Sequence, residues 1–296
     1  MEASPFAYKA SASADRLAAL APGLAHMVHM PSHIYIRTGK YEKGAAVNRA
    51  AVAAYHRYLT LFPAVQNGAG LYEVHNLHML AACSMNRGDY ALSLKDANLC
   101  RAGIDSSWMH MDAPMGNFIQ YVYMMPVMAM VNFEKWDRVL SETPPPASLH
   151  FASTIDAFAR GMAYANTKKV AEAKQQLGIL ENLLKEKDMS IVFPPFNSAL
   201  ASGKVAQNIL HGTISEKENN IPEAMSFYVS AQVAEDDLVY NEPRDWLLPA
   251  RHFLGNALLR NKKWKQATEV FRKDLIISPC NFISSMGLIK ARNKKS

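Results

Sequence analysis

One short pattern recurs six times along this chain: polar turn residues, then an aromatic or large apolar residue, then a small residue three positions later. RTGKYEKG supplies Tyr41 and Gly44, NRGDYALS supplies Tyr90 and Ser93, and NFEKWDRV supplies Trp136 and Val139. TKKVAEA supplies Val170 and Ala173, ENNIPEA supplies Ile221 and Ala224, and NKKWKQA supplies Trp264 and Ala267. Apolar residues at helical spacing fill the stretches between turns, and alternating strand-like runs are nearly absent. A large residue and a small one on the same face at a three-residue interval let two antiparallel helices approach closely. The pattern therefore restricts the chain to stacked helical hairpins. Gly39 and Gly88 suit the turns, where a residue without Cβ ends the first helix at low cost.

Successive anchors are separated by 49, 46, 34, 51 and 43 residues. The extra length falls mainly between hairpins, in FPAVQNGAG, GIDSSWMHMDAP, FPPFNS and VYNEPRDW, which read as loops by their Pro, Gly, Asn and Ser content. ETPPPAS reads as a rigid extended connector. Hydrophobic residues make up 49% of the 296, enough for a core, and no apolar run is long enough to span a bilayer. Cys83, Cys100 and Cys280 follow no metal or disulfide spacing and read as small core residues. The net charge of +6 gathers in Lys262, Lys263, Lys265 and the closing KARNKKS. With no aromatic interleaving or nucleic-acid motif beside it, this basic tail reads as a solvated end.

The sixth copy is the fullest, with Gly255, Leu258, Trp264, Ala267, Phe271 and Pro279 in order. It resembles the tetratricopeptide repeat, and the resemblance implies an all-α fold: a right-handed α-solenoid of about six helical hairpins. On that reading residues 1–296 form a single array. Residues 1–22 are the remnant of a preceding hairpin, hairpins occupy 23–62, 71–104, 117–142, 151–187, 198–238 and 245–278, and 281–296 is a C-terminal helix with its basic tail. Residues 8–22 look like a second helix, closed by Pro22, whose first helix is missing. A solenoid beginning on half a hairpin suggests a longer array.

Three segments carry a narrower resemblance: SADRLAALAPGLAHMVHMPSHIYIRTGKYEKG, YEVHNLHMLAACSMNRGDY and EPRDWLLPARHFLGNALL. They are similar to the C-terminal half of a family of large bacterial tetratricopeptide-repeat proteins of uncharacterised function, with HMPSHIYIR as the specific segment. The resemblance implies further chain ahead of Met1. The start of the sequence has no secretory signal, which points by default to the cytoplasm, although a fragment's first residue does not report on a lost leader.

In tetratricopeptide arrays the first helix of each hairpin lines a concave groove. His26, His29 and His33 stand fifteen, twelve and eight residues before Tyr41, and His75 and His78 stand fifteen and twelve before Tyr90. The same offsets hold Tyr121, Met124 and Met128 in the third hairpin, and the twelve-residue offset holds His252 in the sixth. Family geometry thus puts five histidines on two neighbouring helices facing one space, where imidazoles can converge on zinc, copper, nickel or iron. Met27, Met30 or Met124 would tilt the choice toward copper(I). The competing expectation is that groove histidines hydrogen-bond to a peptide, and that the methionines are adaptable core filler. Arg37 and Arg260, each four residues before an anchor, suit a ligand carboxylate.

Pro31 and Pro126 each fall ten residues before an anchor, inside a first helix, and predict kinks there. Asp245 in EPRDW is read as the N-cap of the sixth hairpin. Nucleophile elbows, phosphate loops, a Rossmann fingerprint and HExxH are absent from the sequence. Two principal readings stand: a non-enzymatic scaffold binding a protein or peptide in its groove, or a transition-metal site, copper or zinc, on His26, His29, His33, His75 and His78. A nucleic-acid binder using the basic tail is the remote third.

Overall fold

Residues 1–63, 69–192 and 196–293 are described by a computed structural model, and most of them are helical. In chain order the helices are α1 (Ser11–Leu20), α2 (Ala25–His29), α3 (Pro31–Arg37), α4 (Tyr41–Leu61), α5 (Ala69–Arg87), α6 (Tyr90–Ala102), α7 (Met115–Tyr123) and α8 (Met125–Asn132). They continue as α9 (Trp136–Ser141), α10 (His150–Asn166), α11 (Val170–Leu183), α12 (Ala199–Lys217), α13 (Ile221–Asp236), α14 (Ala250–Arg260), α15 (Trp264–Ile277) and α16 (Phe282–Asn293). Among the described residues the only β feature is a single antiparallel bridge between Val192 and Ser198. Helices pack chiefly on their sequence neighbours, as α4 on α5, α10 on α11 and α12 on α13.

The six expected anchors, Tyr41, Tyr90, Trp136, Val170, Ile221 and Trp264, are each the first residue of a helix. Two residues before each anchor the backbone turns left-handed, at Gly39, Gly88, Glu134, Lys168, Asn219 and Lys262. In five of these turns the amide just before the anchor donates to the carbonyl five residues earlier: Lys40 to Tyr35, Lys135 to Met130, Lys169 to Tyr164, Asn220 to Ser215 and Lys263 to Leu258, all at 2.8–2.9 Å. This is the bond that closes a helix over a left-handed residue. The small residues three past the anchors, from Gly44 to Ala267, are all buried. A Cβ on Gly44 would lie 2.7 Å from Cys83 Sγ, which shows how close α4 and α5 approach.

The chain's end meets its beginning. A Cβ on Gly39 would lie 2.5 Å from the Pro279 carbonyl oxygen, and one on Gly88 would lie 2.2 Å from the Phe282 ring. Gly88 has φ +81 as well, so Gly88→Ala meets both a strained backbone and an occupied site. The variant is expected to lose about 1–3 kcal/mol of stability, read as a lower urea midpoint at unchanged slope.

Both expected kinks are present. Pro31 is the first residue of α3 and follows α2 directly through a helical Met30, while Pro126 is the second residue of α8, behind α7 and Met124. Their rings fall where a missing N–H costs least. His26 and His29 stay helical on one side of the break and His33 on the other.

The sixth hairpin opens later than expected. α14 starts at Ala250, and its first amide is capped at 2.7 Å by the Glu235 carboxylate from the end of α13, not by Asp245. Asp245 instead accepts from Asn197 and Asn241. This ties the segment from Leu238 to Pro249 across the ends of other helices. Leu247 N–H donates to Tyr121 Oη at 3.0 Å, and Trp246 is buried edge-on against Phe158. GIDSSWMHMDAP, read as a loop, contains a short 3-10 turn at Ser106–His110. Of the remaining expected loops, 64–68 within FPAVQNGAG and 193–195 within FPPFNS lie outside the described residues, as do 294–296 of the basic tail. Helix α5 begins at Ala69, two residues ahead of the expected start.

Candidate metal centre

Three of the histidines meet. His29 on α2, His33 on α3 and His75 on α5 place one ring nitrogen each within 4.8 Å of one another. His29 Nε2 is 2.7 Å from His33 Nε2 and 3.1 Å from His75 Nε2. The kink at Pro31 leaves His29 and His33 on the same side, their rings edge to face at 4.6 Å between centroids.

Neighbours fix the rings from behind. The Asn48 amide donates from Nδ2 to the Gly44 carbonyl at 2.8 Å, which aims its Oδ1 at His29 Nδ1, 2.6 Å away. His29 therefore carries its proton on Nδ1 and turns a bare lone pair at Nε2 toward the other two rings. His33 Nδ1 meets the Glu242 carboxylate, which arrives from the Leu238–Pro249 segment. The Tyr240 hydroxyl donates to the other Glu242 oxygen.

Burial sets the charge state. Desolvation, with the neighbouring imidazoles adding to it, holds His33 down to about 3, and does the same for His75. For His29, burial outweighs its hydrogen bond to Asn48, and the pKa falls to about 4. All three are neutral at pH 7, the form that binds metal. Glu242 moves the other way: burial, then the charge of Glu2, pushes its carboxyl up to about 8.

The other residues singled out from the sequence sit elsewhere. His26 is exposed at the rim, stacked 6.1 Å from His29 and edge-on to Tyr72. His78 lies buried against Phe118 and Tyr121, outside the group of three, with neither ring nitrogen hydrogen-bonded in the structure. Met124 is buried at the α7–α8 junction and Met128 in α8. Tyr121 is buried and receives the Leu247 amide. His252 pairs with buried Asp274 at 3.0 Å, and Asn281 and Ser284 donate to the same oxygen, an arrangement that fastens α16 to α14 and α15. Arg260 forks onto Glu216 at 2.7 and 2.8 Å. Arg37 borders a separate cleft, together with Tyr240 and Arg244.

Asn48 and Glu242 join the site from outside the histidine pattern. Asn48 is visible in hindsight as the one amide on an otherwise small, alanine-rich face of α4, whereas Glu242 lies too far along the chain for any spacing rule. No protein-family model matches the chain, and no curated protein matches it. Among the described residues no helix is long and apolar enough to cross a membrane.

Proposed function

We propose that this protein is a transition-metal-binding member of the tetratricopeptide-type helical arrays, with its metal held by His29, His33 and His75. The observation that carries this reading is the 2.7 Å approach of His29 Nε2 to His33 Nε2 with each ring oriented from its far side. When Glu242 is ionised it accepts a hydrogen bond from the Nδ1–H of His33, and two bare lone pairs at Nε2 then face each other. Only a cation between them relieves that repulsion. When Glu242 is protonated it donates to His33 Nδ1, and a proton on His33 Nε2 bridges to His29. The cluster thus has a proton-filled form and a metal-filled form that differ by one proton.

The donor set fits the metal-filled form. Zinc–imidazole bonds of about 2.0–2.1 Å place tetrahedral nitrogens roughly 3.3 Å apart, so small outward movements of the rings suffice. Carboxylate–histidine–metal and amide–histidine–metal contacts are the usual outer shell of such centres. Three nitrogen ligands leave a coordination position open, as in centres that act on water or substrate rather than brace a fold. This reading is favoured over a peptide-binding groove because the chain's own Leu238–Pro249 segment already engages His33 and Tyr121.

Untagged protein, purified and supplemented with zinc or copper, is expected to retain about one equivalent by elemental analysis after dialysis. His29→Ala and His75→Ala should each lose at least tenfold in affinity. Less than a tenth of an equivalent of any transition metal in the wild type would sink the proposal.

A further inference from the structure

Where the Leu238–Pro249 segment passes Arg37 lies a cleft of about 220 Å³, bordered by Ala3, Arg37, Leu238, Tyr240, Arg244 and Trp246. Its charged groups are not all paired. Arg244 is paired with Glu235 at 3.2 Å, and Glu235 also receives the Ala250 amide. Asp236 is held by both terminal nitrogens of Arg251 at 2.7 and 2.6 Å, and Asp245 by Asn197 and Asn241. Every carboxylate at the cleft is thus engaged by a partner.

Arg37 is not. Its guanidinium lies 5.5 Å over the Tyr240 ring; among the described residues its buried Nε has no hydrogen-bond partner, and its one hydrogen bond is a long 3.5 Å donation to the Ser4 carbonyl. Burial and the nearby Arg244 both penalise its charge. A half-buried guanidinium beside a like charge, with no acid of its own, is costly to maintain, and a planar anion taking two of its donors removes that cost.

We propose that this cleft binds a small carboxylate whose two oxygens sit on the Arg37 fork. Glu235, Asp236 and Asp245 line the same cleft, so the site suits a single negative charge and not a dianion. A cavity of about 150 Å³ accommodates benzene, and pockets for drug-sized molecules start at about 300 Å³. The cleft lies between these, room for a ring or short apolar body plus a carboxylate. Leu238, Val239 and Trp246 supply the apolar wall. No metal is needed for this site, and it stands apart from the metal reading.

Fluorine relaxation of 4-fluorophenylacetate, with 4-fluorophenylacetamide as the uncharged twin, tests it on the full chain. The acid is expected to broaden at millimolar concentration and to be displaced by acetate, while the amide stays sharp. Arg37→Gln should weaken acid binding at least tenfold and Arg37→Lys less. Should Arg37→Gln fail to fold, the acid-against-amide comparison on the wild type decides. Chelator-treated wild type and His75→Ala should bind the acid as well as untreated protein does. No broadening, equal binding of acid and amide, unchanged binding by a folded Arg37→Gln, or stronger displacement by phosphate than by acetate would overturn the proposal. Loss of binding with chelator would overturn it too, by placing the carboxylate on the metal.

Discussion

Lowering the pH from 7 to 5 is expected to remove about 5 kcal/mol of stability from the metal-free protein, a large part of what holds a typical domain folded. The sign follows from four histidines. His29 has a folded pKa of about 4, and His33, His75 and His78 are at about 3, each lowered chiefly by burial from the usual 6.5. Between those values and 6.5 the unfolded chain takes up protons that the folded chain refuses, so stability falls as pH falls through that window. Each histidine contributes about 2 kcal/mol between pH 7 and 5.

Glu242 opposes this. Its folded pKa, raised to about 8, keeps it protonated where the unfolded carboxyl has ionised, so its own contribution is greatest at low pH and is lost as pH rises toward 8. It offsets about 2.5 kcal/mol between pH 7 and 5, and of the roughly 7.5 kcal/mol from the four histidines a net of about 5 kcal/mol remains. Urea unfolding of chelator-treated protein at pH 7, 6 and 5 measures the loss. His78→Phe, which replaces a ring without hydrogen bonds by an apolar one among Phe118 and Tyr121, should remove about 2 of those roughly 5 kcal/mol of pH dependence. A midpoint that does not move between pH 7 and 5 would mean that these rings are solvated.

The sequence announced the hairpins through contacts that are local. A large residue at a helix start and a small one a turn later sit on one helix, and their effect, close approach of the partner helix, is the same in every copy. That is why Glu134, Lys168, Asn219 and Lys262 could be located as turn residues without glycine: their anchors identify them. Of the candidate site, His29, His33 and His75 were legible for the same reason, being offsets along single helices. The offset rule could not separate His75 from His78, one turn deeper, because both lie near the same stripe and packing of α5 decides which faces outward. Asn48 and Glu242 are tertiary neighbours with no spacing to betray them. EPRDW read as a helix opening because its acids and proline are typical there. In the folded chain Glu235 has the capping role, and the segment is free to cross to α3.

In the proposed metal centre Glu242 is the group that exchanges a proton for the metal. Glu242→Gln is expected to weaken zinc binding by about 10–100-fold at pH 8, the usual consequence of removing an outer-shell carboxylate from a ligating histidine. The amide oxygen can still accept from His33 Nδ1, so the ring stays oriented and the protein stays folded; what is lost is the negative charge. In the wild type, binding zinc below pH 8 requires Glu242 to give up its proton, so affinity should rise about tenfold per pH unit from pH 6 to 8, with close to one proton released per zinc. Glutamine has no proton to give. The variant's affinity should therefore be nearly flat over the same range, and its curve should approach the wild type's near pH 6. Calorimetry in two buffers of different ionisation enthalpy reads the proton count directly. Parallel curves with the same proton release in both proteins would show that the exchanged proton belongs elsewhere, and would remove Glu242 from the centre even if the three histidines hold a metal.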